Sequence, residues 1–432
     1  MTPVEDHPLR YPLVNELHAR PFPTQAVPGH AVYLALKEPK DAANRDRAHD
    51  YHHLADLLER FGGAKPTPGA THHSCQLGRH ELKWESHSEF VAYLAVGAGI
   101  SERPFDPVET EIFPADWIED GPGRRLAAIQ VRVEEMPEDP ARIETLLDKW
   151  FVPESLSCAQ VLEGAAVIAG DFRIDPAGQM RFAVFVRPGT GAGRVGRIVQ
   201  RLCEIETYRA MSMLGLGRAR SLSERLSALD PELSAMVSSM TESTARAEET
   251  LHQLLRISAD LEALAVQHSF RFGATAAYEA IVHDRIALMR ETRFMGRQKF
   301  SEFMLRRYDP AMRTVKSAEA RLNAMLERAA RAGELLRTRV DVERQAQSQK
   351  LLANMDRRAD MQLRLQHTVE GLSVVAISYY ALGLATYLAY PVAEAYGISK
   401  SYVMAGLAPL CVAGVWASIW RIRRRMEAQA PH

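Results

Sequence analysis

The sequence predicts an α+β, or α/β, N-terminal cytoplasmic domain, then long antiparallel and stalk helices, then a two-helix transmembrane hairpin at the C-terminus. Three observations carry this. Residues 1–190 alternate short strand-like and helix-like patterns. From Arg194 onward glycine and proline become rare, and Ala, Leu, Glu and Arg dominate. Two apolar stretches follow, TVEGLSVVAISYYALGLATYLAY (368–390) and SYVMAGLAPLCVAGVWASIW (401–420), the first charged only at Glu370 and the second uncharged. Each has the roughly 20 residues a helix needs to cross the hydrocarbon core.

In chain order, AVYLAL (31–36) reads as a strand, and RDRAHDYHHLADLLERFGG (45–63) as a helix closed by glycine. HELKWESHSEFVAYLAV (80–96) gives two strands around a polar turn at 85–88, and LAAIQVRVEEM (126–136) alternates as a strand does. ARIETLLDKWF (141–151) is a short amphipathic helix, and residues 165–174 and 179–187 form a hairpin across DPAGQ. Beyond it, breaks near Gly215 and Gly217, Asp230-Pro231, Gly273 and Asp309-Pro310 divide the chain into about four helices. After Pro310 no proline occurs until Pro391. One helix of that length is roughly 120 Å long at 1.5 Å per residue. Its apolar residues 322, 325, 329, 332 and 336 form a heptad-like seam, which must be covered by copies of itself or by the preceding helices. The expected division is a cytoplasmic α+β domain (1–190), a helical domain (191–309), a stalk helix (310–367), a transmembrane hairpin (368–420) and a basic cytoplasmic tail (421–432).

The Lys/Arg bias orients the hairpin. Arg357, Arg358 and Arg364 precede it, Arg421, Arg423, Arg424 and Arg425 follow it, and the loop between carries only Lys400. Both flanks, and with them both termini, are expected on the cytoplasmic side of a bacterial inner membrane. The opening MTPVEDHPLR has no basic n-region followed by an apolar run, so no secretory signal is expected. Charge is balanced, 53 Lys+Arg against 54 Asp+Glu, which argues against a nucleic-acid partner. Cys75, Cys158, Cys203 and Cys411 form no CxxC pair, which fits a reducing compartment.

Few motifs carry chemistry. Gly191, Gly193 and Gly196 have the GxGxxG spacing between a strand-like run and a helix, the context of a dinucleotide fingerprint, yet no strand follows to complete a βαβ unit. Ten of the fifteen histidines lie in the first 87 residues. His49, His52 and His53 share a helix face, a possible divalent-cation set with no HExxH pattern to fix its geometry. No GxSxG, Walker lysine or Ser-His-Asp pattern is assignable. In the first apolar segment Glu370, Ser373, Ser378 and Thr386 are candidates to line a polar path, since polar groups facing lipid are costly.

HPLRYPLVNELHARPFP (7–23), with RIVQRLCEIETYRAMSMLG (197–215) and RLQHTVEGLSVVAISYY (364–380), resembles a bacterial family catalogued as domain of unknown function 3422. The run Asn15, Glu16, Leu17, His18, Ala19, Arg20, Pro21, Phe22 is its specific motif. The resemblance implies a membrane anchor and no assigned activity. A second resemblance is architectural. A cytoplasmic α/β domain, a long stalk helix, two C-terminal membrane helices and a basic tail are similar to the CorA-type magnesium channels. That resemblance implies a pentamer and a pore lined by the first membrane helix. The loop matches the Tyr-Gly-Met-Asn signature of those channels at Tyr396 and Gly397 and departs from it at Ile398 and Ser399.

Three functions are therefore expected in competition, with a lipid bilayer and further copies of the chain as partners. The first is a homo-oligomeric cation conduit gated through the stalk. The second is a membrane scaffold that recruits partners without transport, its small residues Ala405, Gly406, Ala413, Gly414 and Ala417 letting helices approach closely. The third is a cytoplasmic enzyme built on His18, Arg20, His52 and His53.

Overall fold

β1 (Gly29–Lys37) is buried at all nine positions. A strand buried on both faces belongs in the middle of a covered sheet, and that is where the computed structural model puts it. The structure describes residues 4–11, 13–14, 21–67, 69–242, 247–397 and 399–427. After β1 come α1 (Arg47–Phe61), β2 (His72–Leu77), β3 (His80–Ser86), β4 (Val91–Ala98), α2 (Ala115–Glu119), β5 (Arg124–Glu135), α3 (Pro140–Trp150), β6 (Ser157–Val161), β7 (Ala166–Ile174) and β8 (Met180–Val186). Then follow α4 (Ala192–Glu242), α5 (Ala247–Leu288), β9 (Thr292–Arg293), α6 (Phe300–Arg307), α7 (Asp309–Ala395) and α8 (Lys400–Glu427).

The nine strands form one sheet in the order β2-β3-β4-β1-β5-β8-β7-β6-β9. Only β5 and β8 pair in parallel; every other neighbour is antiparallel. The domain is α+β rather than α/β. Side chains alternate across the sheet, and the two faces have separate covers. Val32, Leu34, Leu82, Trp84 and Tyr93 meet Leu54, Leu57 and Leu58 of α1 and Trp117 of α2. Further along the sheet, Val167, Ala183 and Phe185 meet Ile143 and Leu147 of α3. On the opposite face Phe172 and Phe182 pack against Phe300 of α6. The helix ends follow local chemistry. Asp46 accepts from Ala48 N at the start of α1, and Gly62 closes it at φ 69°.

The chain divides into two compact units, Met1–Thr244 with Glu249–Gly333, and Ala245–Glu248 with Glu334–His432. α7 carries residues of both. Three of the expected helix breaks do not occur. α4 runs 51 residues through Gly215, Gly217 and Pro231, and α5 runs 42 through Gly273. At Gly215 the reason is contact between helices: an added Cβ would stand 2.3 Å from Thr275 Oγ1 of α5. That glycine serves a close crossing and does not end a helix. The real interruption after α5 is the segment that carries β9. The expected end of α7 at Pro391 also moves, because the helix continues to Ala395 and only residues 396–399 connect it to α8.

The apolar seam of α7 is covered within the first unit. Leu322, Met325, Ala329 and Ala332 are buried. Alongside them, Arg321 and Arg328 both reach Asp230 of α4, and Lys316 reaches Glu279 of α5 at 2.8 Å. Over 322–332 the preceding helices, not a second copy, take this seam. Further on the pattern changes: residues 344–369 are exposed throughout.

Candidate functional site

The histidines expected to gather around a metal are placed apart. His53 is buried against Trp117, ring centroids 3.8 Å apart. Its Nε2 donates to the Trp117 carbonyl at 2.8 Å, and its Nδ1 lies 2.7 Å from the Tyr93 hydroxyl. Both ring nitrogens are engaged, and burial lowers its pKa to about 4. His49 and His52 are exposed on the same helix. Among the described residues no three His, Cys, Asp or Glu side chains form a metal-holding group. A second buried pair was not anticipated. His30 Nε2 and His80 Nε2 are 3.0 Å apart, and His30 Nδ1 lies 2.8 Å from the Gly99 carbonyl. That carbonyl can only accept. In the neutral pair His30 therefore carries its proton on Nδ1, and His80 donates to His30. Burial, then the neighbouring His30, lowers the His80 pKa to about 4.

The glycine fingerprint does not frame a dinucleotide site. An added Cβ on Gly196 would stand 1.9 Å from the Pro23 carbonyl oxygen, so this glycine admits the chain segment 23–25, whose Gln25 N donates to Ala192 O at 3.2 Å. α4 leads into α5, with no parallel strand returning to the sheet beside β8. The motif residues Asn15, Glu16, His18 and Arg20 lie outside the described residues.

The structure instead places a polar cavity of about 210 Å³ between the sheet and the helices α4 and α5. Strand alternation builds one wall: Lys83, Glu85 and His87 fall at every second position of β3 and the turn after it, on the face opposite Trp84. Tyr33 of β1 and Leu94 of β4 complete that wall, and Gln200, Glu204, Thr207 and Tyr208 of α4 form the other. The polar groups make a chain of contacts. His87 Nε2 lies 4.0 Å from Glu85, whose other oxygen is 3.4 Å from Lys83 Nζ. Lys83 donates to Gln200 at 3.0 Å, and Gln200 donates to Glu204 at 2.6 Å. Glu204 in turn pairs with Arg285 of α5. Positive and negative groups alternate, so the wall is close to neutral, and burial raises the Tyr33 hydroxyl pKa well above its ordinary value. Phe22, the last residue of the specific motif, also lines this cavity. Such a wall suits a small, polar, near-neutral guest held by hydrogen bonds.

One buried arginine holds the turn that carries His87. Arg45 pairs with Asp50 at 2.8 Å, both side chains essentially inaccessible. It also donates to the carbonyls of His87 and Ser88 at 2.7 Å and of Phe90 at 3.1 Å. No spacing in the sequence signals this, because the carbonyl partners lie more than forty residues away. The alternation Lys83, Glu85, His87 was legible, yet reading 85–88 as a polar turn hid it.

In the second unit α7 and α8 are joined by a short turn closed at Gly397, φ 73°; Tyr396 is 81 % exposed. In this part of α7 the less exposed positions are Ser373, Val374, Ser378, Ala381, Leu382, Ala385, Thr386, Ala389, Tyr390 and Ala393, and those of α8 are Val403, Leu407, Ala408, Cys411, Val415 and Ile419. These helical-spaced stripes are the faces the hairpin turns inward. Ser378 and Thr386 are buried there with no hydrogen-bond partner for their hydroxyls. Ser373 Oγ donates to the Val369 carbonyl at 2.8 Å, and Glu370 lies 3.7 Å from His367 Nδ1. The outward faces carry Leu372, Val375, Tyr379, Leu384, Leu388, Leu410 and Trp416. Of the two apolar windows 11 % and 0 % is buried, so neither is a core helix, and both are long and apolar enough to span a membrane.

An N-terminal mixed-sheet domain, long helices and an apolar C-terminal helix pair define the class. The chain belongs to the family described as protein of unknown function (DUF3422), whose profile matches residues 5–426. No curated protein matches it.

Proposed function

We propose that the protein is a membrane-anchored homo-oligomeric scaffold of the bacterial inner membrane, its sheet domain and both termini in the cytoplasm. The observation that carries this is the hairpin itself. A contiguous apolar surface of this size is not left open to water by a soluble monomer. The basic residues on both flanks, against the single Lys400 in the loop, support the cytoplasmic placement. Trp420 and Arg424, with the guanidinium 4.2 Å from the ring, suit an interfacial anchor. Oligomerisation is supported by Leu351, Leu352, Met355, Met361, Leu363 and Leu365, all exposed along one helix stretch that the other described residues leave uncovered.

The scaffold reading is favoured over the CorA-like conduit by the direction of the polar groups. Ser378 and Thr386 turn into the hairpin, and Ser373 bonds its own helix. An axis formed by the outward face of α7 would be lined by Leu, Val and Tyr side chains. The test is ion flux in proteoliposomes carrying the full chain, sized by light scattering. The expected result is an oligomer with no flux of magnesium or potassium above that of empty vesicles. Flux that Ser378→Ala with Thr386→Val abolishes would restore the conduit; a monomer would remove the assembly.

A further inference from the structure

A second cavity, about 560 Å³, is lined by Lys37 and Arg271, which both approach the buried Glu89. Its floor is the loop that leaves β1, and its sides are α4 and α5. Four cations line it: Lys37, Lys40, Arg218 and Arg271. Three carboxylates stand near, one of them Glu38 beside Lys37. Glu89, buried to 1 %, lies 3.9 Å from Lys37 Nζ, pairs with Arg271 and accepts from the Tyr278 hydroxyl at 3.1 Å. Asp41 accepts from Asn44 at 2.8 Å. Among the described residues Lys40 and Arg218 have no carboxylate partner. Lys40 and Arg218 therefore place two positive charges without a carboxylate partner in a concave setting, which concentrates the field on whatever enters. Lys37 registers that field: burial, then Arg271, lowers its pKa. Beside the cations stand two partly exposed apolar side chains, Phe270 at 56 % and Leu214 at 38 % exposure, with the Arg271 guanidinium 5.6 Å from the Phe270 ring centre.

We propose that this cleft binds a phosphate ester, with Lys40, Arg218 and Arg271 around the phosphate and Phe270 and Leu214 against the group the phosphate carries. The Lys40 ammonium and the Arg218 guanidinium, with the Glu89-paired Arg271 beside them, match a doubly charged oxyanion. The exposed aromatic ring beside them matches a ligand with a flat or apolar portion. A free carboxylate of single charge would leave part of that charge uncompensated. Two sources supply this chemistry, a nucleotide and a phospholipid headgroup. The inference stands apart from the anchoring proposal, since all its residues lie in the first unit.

The experiment is calorimetric titration of the full chain in neutral detergent, at fixed ionic strength, with ATP, pyrophosphate and glycerol 3-phosphate as separate probes. The expected result is saturable binding of at least one probe, one site per chain, weakened roughly tenfold or more in the Lys40→Gln, Arg218→Gln double variant. Both side chains are exposed and make no ion pair, so the variant keeps the buried Glu89 cluster and its fold, checked by an unchanged melting temperature. If ATP binds and Phe270→Ala weakens it while sparing pyrophosphate, the source is a nucleotide. If glycerol 3-phosphate binds and ATP does not, the source is a headgroup. No saturable binding of any probe at millimolar concentration overturns the proposal, and so does binding that the double variant leaves unchanged.

Discussion

At the scale of single residues, the sheet domain depends on keeping imidazoles neutral. His53 and His80 are both held near pKa 4 by burial, from an ordinary value of 6.5. In the unfolded chain each takes up a proton below about pH 6.5; in the fold each stays neutral down to about pH 4. The unfolded state therefore binds more protons within that window. Stability is complete above it and falls with pH through it, by about 1.4 kcal/mol per pH unit for each imidazole. Unfolding by urea, followed through tryptophan fluorescence, should show the midpoint dropping steeply between pH 6.5 and pH 5, with His53→Gln flattening part of the slope. A midpoint that does not move over that range contradicts the assignment. Sequence alone cannot reach this point. The i, i+3, i+4 spacing put His49, His52 and His53 on one face, but spacing says nothing of which ring is covered. Trp117, more than sixty residues away, decides that His53 is a core side chain. His30 and His80 meet only because β1 and β3 both flank β4.

At the scale of elements, one clamp joins the start of α1 to the β3–β4 turn. Arg45 satisfies three carbonyls of that turn and the buried Asp50 together. Arg45→Ala leaves Asp50 charged and buried without its partner, which costs about 3–5 kcal/mol. Urea unfolding of the variant should show a loss of that size, and a loss under 1 kcal/mol would mean the clamp is not formed. The strands with clean alternation or long apolar runs, β1, β4, β5, β7 and β8, were legible in the sequence, as was the hairpin of β7 and β8. β2, β6 and β9 were not: each is short, and its place is set by pairing with a neighbour. The helix breaks failed for a physical reason. Glycine and proline mark ends only where nothing else stabilises the helix, and in α4 and α5 long runs of side-chain packing override them. The seam of α7 was legible as a stripe, though its partner, α4 with α5, required the fold.

At the scale of the whole molecule, the sheet domain and the C-terminal hairpin differ in what they expose. The hairpin shows largely apolar outward faces, and both of its helices are long and apolar enough to span a membrane. The sheet domain carries the cavities and the buried networks. The two segments were legible because length and absence of charge are properties of sequence alone. The direction of Ser378 and Thr386 was not, because it depends on the rotation of α7 against α8. The central claim is that α7 and α8 cross the inner membrane with only their connecting turn outside. Cysteine labelling tests it most directly. In a Cys75→Ser, Cys411→Ser background, Tyr396→Cys is to be compared with Lys350→Cys, using a membrane-impermeant maleimide on intact spheroplasts and then on lysed ones. The account predicts labelling of position 396 in intact spheroplasts and of position 350 only after lysis. Labelling of both positions only after lysis, with the chain released by an alkaline wash, would contradict it.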